Sequence, residues 1–187
     1  FSTWNFEGKN IRTFAWATSA SYIWDAASVE IVDLDGKVRR VLCQAAYPVE
    51  TADVWDEAVM YVQHAIKYYS DLLYPYPWPQ MSVVRGRAGG MEYPMIVYCR
   101  GSSHEGLFNV TDHEVGHDWF PMLVNTDERR HAWMDEGFNT FVNHYSLENF
   151  YGEREHAPDV SKYDASKFKD GITPINTKPD LLRSRRH

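Results

Sequence analysis

Two histidines stand four residues apart at His113-Glu114-x-x-His117, with a glutamate directly after the first. On a helix, residues i and i+4 lie about 40° apart around the axis and about 6 Å apart along it, so both imidazoles can turn toward one ion. Zinc accepts neutral imidazole nitrogen at about 2.0–2.1 Å. Glu114 sits about 100° further round, where it would flank such an ion rather than ligate it. Zinc lowers the pKa of a bound water from about 15.7 toward 7. A flanking carboxylate can then take the proton near neutral pH. The pattern is that of a zinc site with a glutamate base.

Glu114 has a competing reading. Thr111-x-x-Glu114 matches a capping box, which would make the glutamate a helix starter. An earlier start is offered by Ser102-x-x-Glu105, with apolar residues leading from there into the motif. If the helix begins at that point, Thr111 is internal and Glu114 is free to act as a base. Asn109-Val110-Thr111 matches a glycosylation sequon, which a helix beside a metal site would leave unused.

A catalytic zinc needs three protein ligands and an open position. Glu136 follows His117 with 18 residues between them, enough for a turn and a second helix that brings a carboxylate back. Its neighbours Trp133, Met134, Phe138 and Phe141 are apolar, an unusual setting for a solvated acid. A buried carboxylate needs a partner, and a metal would supply one. Asp118 and Asp135 adjoin the proposed ligands. Each reads equally as a partner to a ligand or as a surface acid.

These residues must be carried by a scaffold. Residues 11–17, IRTFAWA, begin with strand-like alternation. VEIVDLDGKVRRVLCQAA reads as two strands around a turn at Asp35-Gly36. Helical periodicity follows over 52–73, with Thr51 available as a cap. Its apolar stripe is Val54, Ala58, Tyr61, Val62, Ala65, Tyr69 and Leu72. The proline-rich YPYPWP ends it. MSVVRG and MIVYCR are strand-like, with RAGGMEYP between them. From Ser103 to about Tyr151 the pattern is mostly helical, and the remainder is polar with a weak helix signal at 159–168. Strands first and helices later is an α+β order. We expect a catalytic domain over residues 1–151 and a polar tail over 152–187.

The chain has 187 residues, 44% hydrophobic and 15% aromatic, enough for one domain with a proper core. Its formal net charge of -7 is dispersed, which does not suggest a nucleic-acid partner. Arg183, Arg185 and Arg186 read as a solvated tail. No apolar run reaches the roughly 18 residues of a membrane span. Cys43 and Cys99 sit in apolar strand-like runs and read as buried thiols, with a single disulfide as the alternative.

HEVGHDWF, WMDEGFNTF and the upstream GGMEYP together resemble the zinc aminopeptidases of the aminopeptidase N family. These are gluzincins with a thermolysin-like catalytic domain, a mixed or antiparallel sheet followed by zinc-binding helices. IRTFAWATSASYIWD also resembles the start of that domain, and the likeness covers most of residues 1–150. The resemblance implies one Zn2+ held by His113, His117 and Glu136, with Glu114 as general base. It implies an exopeptidase motif at Gly89, Gly90, Met91 and Glu92, in which Glu92 holds the free α-amino group of a peptide substrate. Tyr93 departs from the asparagine usual there. A glycine pair that lets backbone approach closely, on a strand edge that can pair with a peptide, suits that task.

The family also implies an oxyanion tyrosine several dozen residues past the glutamate ligand, and the sequence ends 51 residues after Glu136. Tyr145, Tyr151 and Tyr163 do not have the expected setting. The tyrosine is therefore expected beyond residue 187, and the family's amino-terminal β-domain and carboxy-terminal helical domain are expected outside this stretch. Losing an oxyanion donor lowers kcat by about 10²–10³, so this stretch alone is expected to bind zinc but to hydrolyse weakly. Two other readings are a thermolysin-like endopeptidase and a peptide-binding module on a peptidase scaffold. The family's exported bacterial members incline the location to the periplasm or outside the cell.

Overall fold

The computed structural model describes residues 2–152 and 176–178. Strands β1 (Tyr22–Val32) and β2 (Val38–Pro48) form an antiparallel hairpin. Its turn is the expected one. Gly36 takes φ 79°, a left-handed conformation that glycine adopts without strain, and its N–H donates to Asp33 O at 2.8 Å.

Helices α1 (Ala52–Trp55) and α2 (Ala58–Leu72) follow. The single helix expected over 52–73 is thus interrupted at Asp56–Glu57. The break is local, because the N–H groups of Asp56 and Tyr61 still bond to the carbonyls of Ala52 and Glu57. Thr51 stands at the cap position of α1, but its hydroxyl turns back to donate to Pro48 O. Along α2, Ala58, Tyr61, Val62, Ala65 and Tyr69 are buried as expected, whereas Leu72 is half exposed. In the last turn Ser70 faces inward instead and accepts from Tyr76 N–H.

Strands β3 (Gln80–Arg85), β4 (Gly90–Tyr93) and β5 (Ile96–Cys99) complete a five-stranded sheet of order β1-β2-β3-β5-β4. β2, β3 and β5 run parallel, while β1 and β4 are antiparallel edges. The sheet packs against α2 and against α3 (His104–Gly116), which α4 (Phe138–Tyr151) also contacts. The fold is α+β with a mixed sheet. The edge strand β4 carries Gly90, Met91 and Glu92, and its neighbour β5 leads into α3.

Two expectations need correction. Residues 11–17 form no ladder and lie outside the five-stranded sheet. The segment is tied down instead by Arg12 on Pro121 O and by Trp16 O, which accepts from the Tyr98 hydroxyl. The helical run from 103 to 151 is not continuous. Wide π-type turns at Asp118–Leu123 and Trp133–Gly137 flank an irregular stretch, and Pro121 together with the extended Phe120 accounts for the first departure. Cys43 and Cys99 are buried free thiols, and burial pushes the Cys43 thiol up to about 12. The weak helix signal at 159–168 and the arginines at 183–186 lie outside the described residues.

Candidate active site

α3 starts one residue later than the capping box at Ser102 suggests. Ser103 is extended, with φ -144° and ψ 157°, and its side chain accepts from Gly106 N–H at 3.1 Å. The other site elements then fall in place. Thr111 is buried inside the helix, so Glu114 caps nothing. His113 lies in the last turn and His117 is the closing cap residue.

The helical spacing brings His113 Nε2 and His117 Nε2 to 3.1 Å of one another. Glu136, at the entrance to α4, places Oε2 3.2 Å from His113 Nε2 and 3.6 Å from His117 Nε2. Donors held 2.0–2.1 Å from a tetrahedral zinc would stand about 3.3 Å from each other. The triangle fits that ion, and the two-imidazole, one-carboxylate donor set is one that zinc accepts.

Each imidazole is anchored through its other nitrogen. His113 Nδ1 meets Asn143 Oδ1 at 2.9 Å, and its backbone carbonyl accepts from Asn139 Nδ2 at 2.8 Å. His117 Nδ1–H donates to Phe120 O at 2.8 Å, with Asp135 Oδ1 also 2.8 Å away. Such anchoring fixes the tautomer and points Nε2 at the ion. Asn139 and Asn143 come this close because residue 116 is glycine. A Cβ there would stand 2.2 Å from Asn139 Oδ1 and 3.0 Å from Asn143 Nδ2.

Glu114 is buried, and its Oε2 has no hydrogen-bond partner. A carboxylate oxygen in that state calls for a ligand or water, which is where the base of a hydrolase should stand. Gly90 makes room for it, because a Cβ at Gly90 would lie 2.3 Å from Glu114 Oε1. Glu92 joins from β4: one oxygen each of Glu92 and Glu114 and one nitrogen of His117 lie within 4.8 Å of each other. Gly89 and Gly90 are exposed, and Met91, Glu92 and Tyr93 half-buried along the same edge.

The electrostatics follow from crowding. Burial pushes the Glu114 carboxyl up to about 7; His113 and His117 oppose this, and Glu92 and Glu136 add to it. Burial raises Glu92 as well. The hydrogen bond from His113 lowers Glu136. For His117 burial disfavours the charged ring, but Asp135, Glu92 and the Phe120 carbonyl outweigh it and leave it at about 9.

Of the residues singled out from the sequence, His113, Glu114, His117, Glu136 and Glu92 come together here, with Gly89, Gly90 and Met91 along the edge strand beside them. Of the two open aspartates, Asp135 contacts a proposed ligand. Asp118 is a buried pin that accepts from Tyr76 OH at 2.7 Å. Asn139, Asn143, Tyr69 and Asp112 escaped the sequence reading. The i, i+4 spacing of Asn139 and Asn143 was the visible hint.

Residues 57–177 match the Peptidase family M1 domain. Leucine aminopeptidase 2 of Emericella nidulans is 27% identical over 142 residues, 72% of this chain and 22% of that protein. Aminopeptidase M1-A of Oryza sativa subsp. japonica is 29% identical over 140 residues, 67% of this chain and 16% of that protein. The chain thus spans about a fifth of the length of these relatives. Among solved structures, an M1 zinc metallopeptidase mutant from Deinococcus radiodurans superposes with TM-score 0.60 at 20% identity, over 84% of this chain and 35% of that one. No described helix is long and apolar enough to cross a membrane.

Proposed function

Because the chain belongs to peptidase family M1, we propose that it carries the catalytic centre of a zinc-dependent aminopeptidase. One observation supports this above the rest. The Nε2 atoms of His113 and His117 and the Oε2 of Glu136 converge beside the unpartnered Oε2 of a buried Glu114.

His113, His117 and Glu136 would hold the ion. Zinc bound there supplies Lewis-acid polarisation of a carbonyl and acidification of a water. Glu114 Oε2 takes the proton from the attacking water and hands it to the nitrogen of the leaving amine. Burial raises this carboxyl, which favours its taking up that proton. Glu92 receives the α-ammonium of the substrate, so only the first peptide bond reaches the reacting groups. Gly89, Gly90 and Met91 offer the edge of β4 to the peptide backbone. Asn143, Phe120 O and Asp135 hold the two imidazoles still.

The test is zinc content together with hydrolysis of aminoacyl-anilides by the full-length protein. One zinc per chain, lost in His117→Ala, and release of amino-terminal residues are expected. Zinc content unchanged by His117→Ala would refute the ligand set. Preferential cleavage of amino-blocked peptides would favour an endopeptidase instead.

A further inference from the structure

We propose that Asp112 is a positioning residue for His113, acting through Tyr69 and Asn143 to determine which imidazole nitrogen is free to bind a cation. The inference rests on the ligand role given to His113 above.

Asp112 precedes His113 but points away from the ion. Its side chain is buried, and both oxygens accept from hydroxyls: Tyr69 OH to Oδ2 at 2.6 Å and Ser146 OH to Oδ1 at 2.6 Å. Both hydroxyls donate to this one carboxyl group, which sets the directions of their hydrogens. With its hydrogen committed to Asp112, the Tyr69 oxygen can only accept from its other neighbour. That neighbour is Asn143 Nδ2 at 2.8 Å. The amide group of Asn143 must therefore face Tyr69, and its carbonyl must face His113 Nδ1 at 2.9 Å. A carbonyl there requires the hydrogen on Nδ1 and leaves the lone pair on Nε2, toward His117 and Glu136.

The alternative is excluded by the same logic. Turning Asn143 over would let its amide donate to an unprotonated His113 Nδ1, but it would set the carbonyl against a Tyr69 oxygen with no hydrogen to give, and the Tyr69 bond would be lost in a buried site. Asn139 cannot take over the anchoring. Its amide already donates to His113 O at 2.8 Å and lies 3.4 Å from Nδ1. The second arm is polarised in the same sense: Ser146, whose hydrogen goes to Asp112, accepts from His64 Nε2 at 3.0 Å. A carboxylate thus orients a metal ligand with a phenol and an amide between them. Zinc ligands that lose such outer partners lose about 10–100-fold in metal affinity.

Tyr69→Phe removes one hydroxyl from the middle of the relay and leaves the packing volume. Competition for zinc against a chromogenic chelator should show affinity about 10–100-fold weaker than in the parent protein. Adding Asn143→Asp, which sets a carboxylate directly on His113 Nδ1, should recover most of the loss. Zinc affinity within about twofold of the parent in a folded Tyr69→Phe would overturn the proposal, whatever its thermal stability. So would a loss that Asn143→Asp fails to recover, since that pattern belongs to packing. Asp112→Asn is the second variant, with the same outcome expected and the same result against it, should Tyr69→Phe not fold. A parent protein that takes up no zinc would overturn this reading and the ligand set together. A parent that binds zinc beside an indifferent Tyr69→Phe overturns this reading alone.

Discussion

Alanine at Gly90 moves Glu114 without touching any proposed metal ligand. The backbone there accepts a side chain, because Gly90 is not one of the positive-φ glycines, Gly36 and Gly152. The new Cβ would stand 2.3 Å from Glu114 Oε1 and 3.1 Å from its Cδ. Ordinary contact distances exceed 3 Å, so the carboxylate must retreat by roughly 1 Å. It is a flexible tip, and Gly90 is exposed, so the stability loss should stay below about 1 kcal/mol. The reaction is less tolerant. A misplacement of about 1 Å in a reacting group can lower the rate about 10²-fold, or about 2.7 kcal/mol of barrier. Zinc affinity should hold, since the new atom does not reach His113, His117 or Glu136. The assay is kcat on an aminoacyl-anilide beside a zinc competition titration, both in the full-length protein. A kcat within about threefold of the parent, at unchanged zinc content, would show that Glu114 does not work from this position.

Gly116→Ala should act through the opposite face of α3, where its Cβ would meet Asn139 Oδ1 at 2.2 Å. Forcing the buried asparagines aside should destabilise the protein by about 1–3 kcal/mol in a thermal melt and weaken zinc binding; an unchanged melt contradicts the close crossing of α3 and α4. Glu92→Gln should lower kcat/KM for substrates with a free amino terminus about 10–100-fold, the worth of one charged hydrogen bond, and an equal loss on amino-blocked peptides would remove the ammonium role. Without metal, stability should fall as pH rises from about 5 to 8. Glu114 and Asp118 keep their protons up to about 7 in the folded chain, while unfolded carboxyls lose theirs near 4. His117, raised to about 9, adds stability that is present below its ordinary range and lost through that value. Glu136, lowered, works the other way only at the acid end. Urea midpoints of chelator-treated protein that do not drop between about pH 5.5 and 8 would contradict this balance.

The proposed ligands were legible in the sequence because helical geometry alone converts an i, i+4 pair into a convergent pair. Glu136 was legible by its spacing from His117 and not by the burial expected of it: its side chain is 59% exposed, and its neighbours Phe138 and Phe141 are exposed too. The hairpin at Gly36 was equally local. Less visible was everything that depends on a partner distant in the chain. IRTFAWA alternates like a strand, but alternation does not say whether an edge is free to pair with it. Tyr69 read as one more apolar residue of the α2 stripe, and its ring is indeed buried there. Only the packing of α2 on α3 shows that its hydroxyl meets Asp112, 43 positions away in sequence. The irregular path between His117 and Glu136 was hidden for a similar reason, since its turns are held by Phe120 and Pro121 rather than by a periodic pattern.

The end of α3 has one more consequence. The helix stops at Gly116 with His117 as its closing residue, so both imidazoles project from the pole where free carbonyl groups gather. That pole carries about half a negative charge from the aligned peptide dipoles. Glu92, Glu114, Asp135 and Glu136 crowd the same corner. A dication bound there is the counter-charge to a helix end and four acids at once. Metal uptake and folding then become one equilibrium governed by mass action. Free zinc at 100 times its dissociation constant would add about 2.7 kcal/mol to the folded state. A chelator would loosen the junction of α3, α4 and β4 while it silences the chemistry.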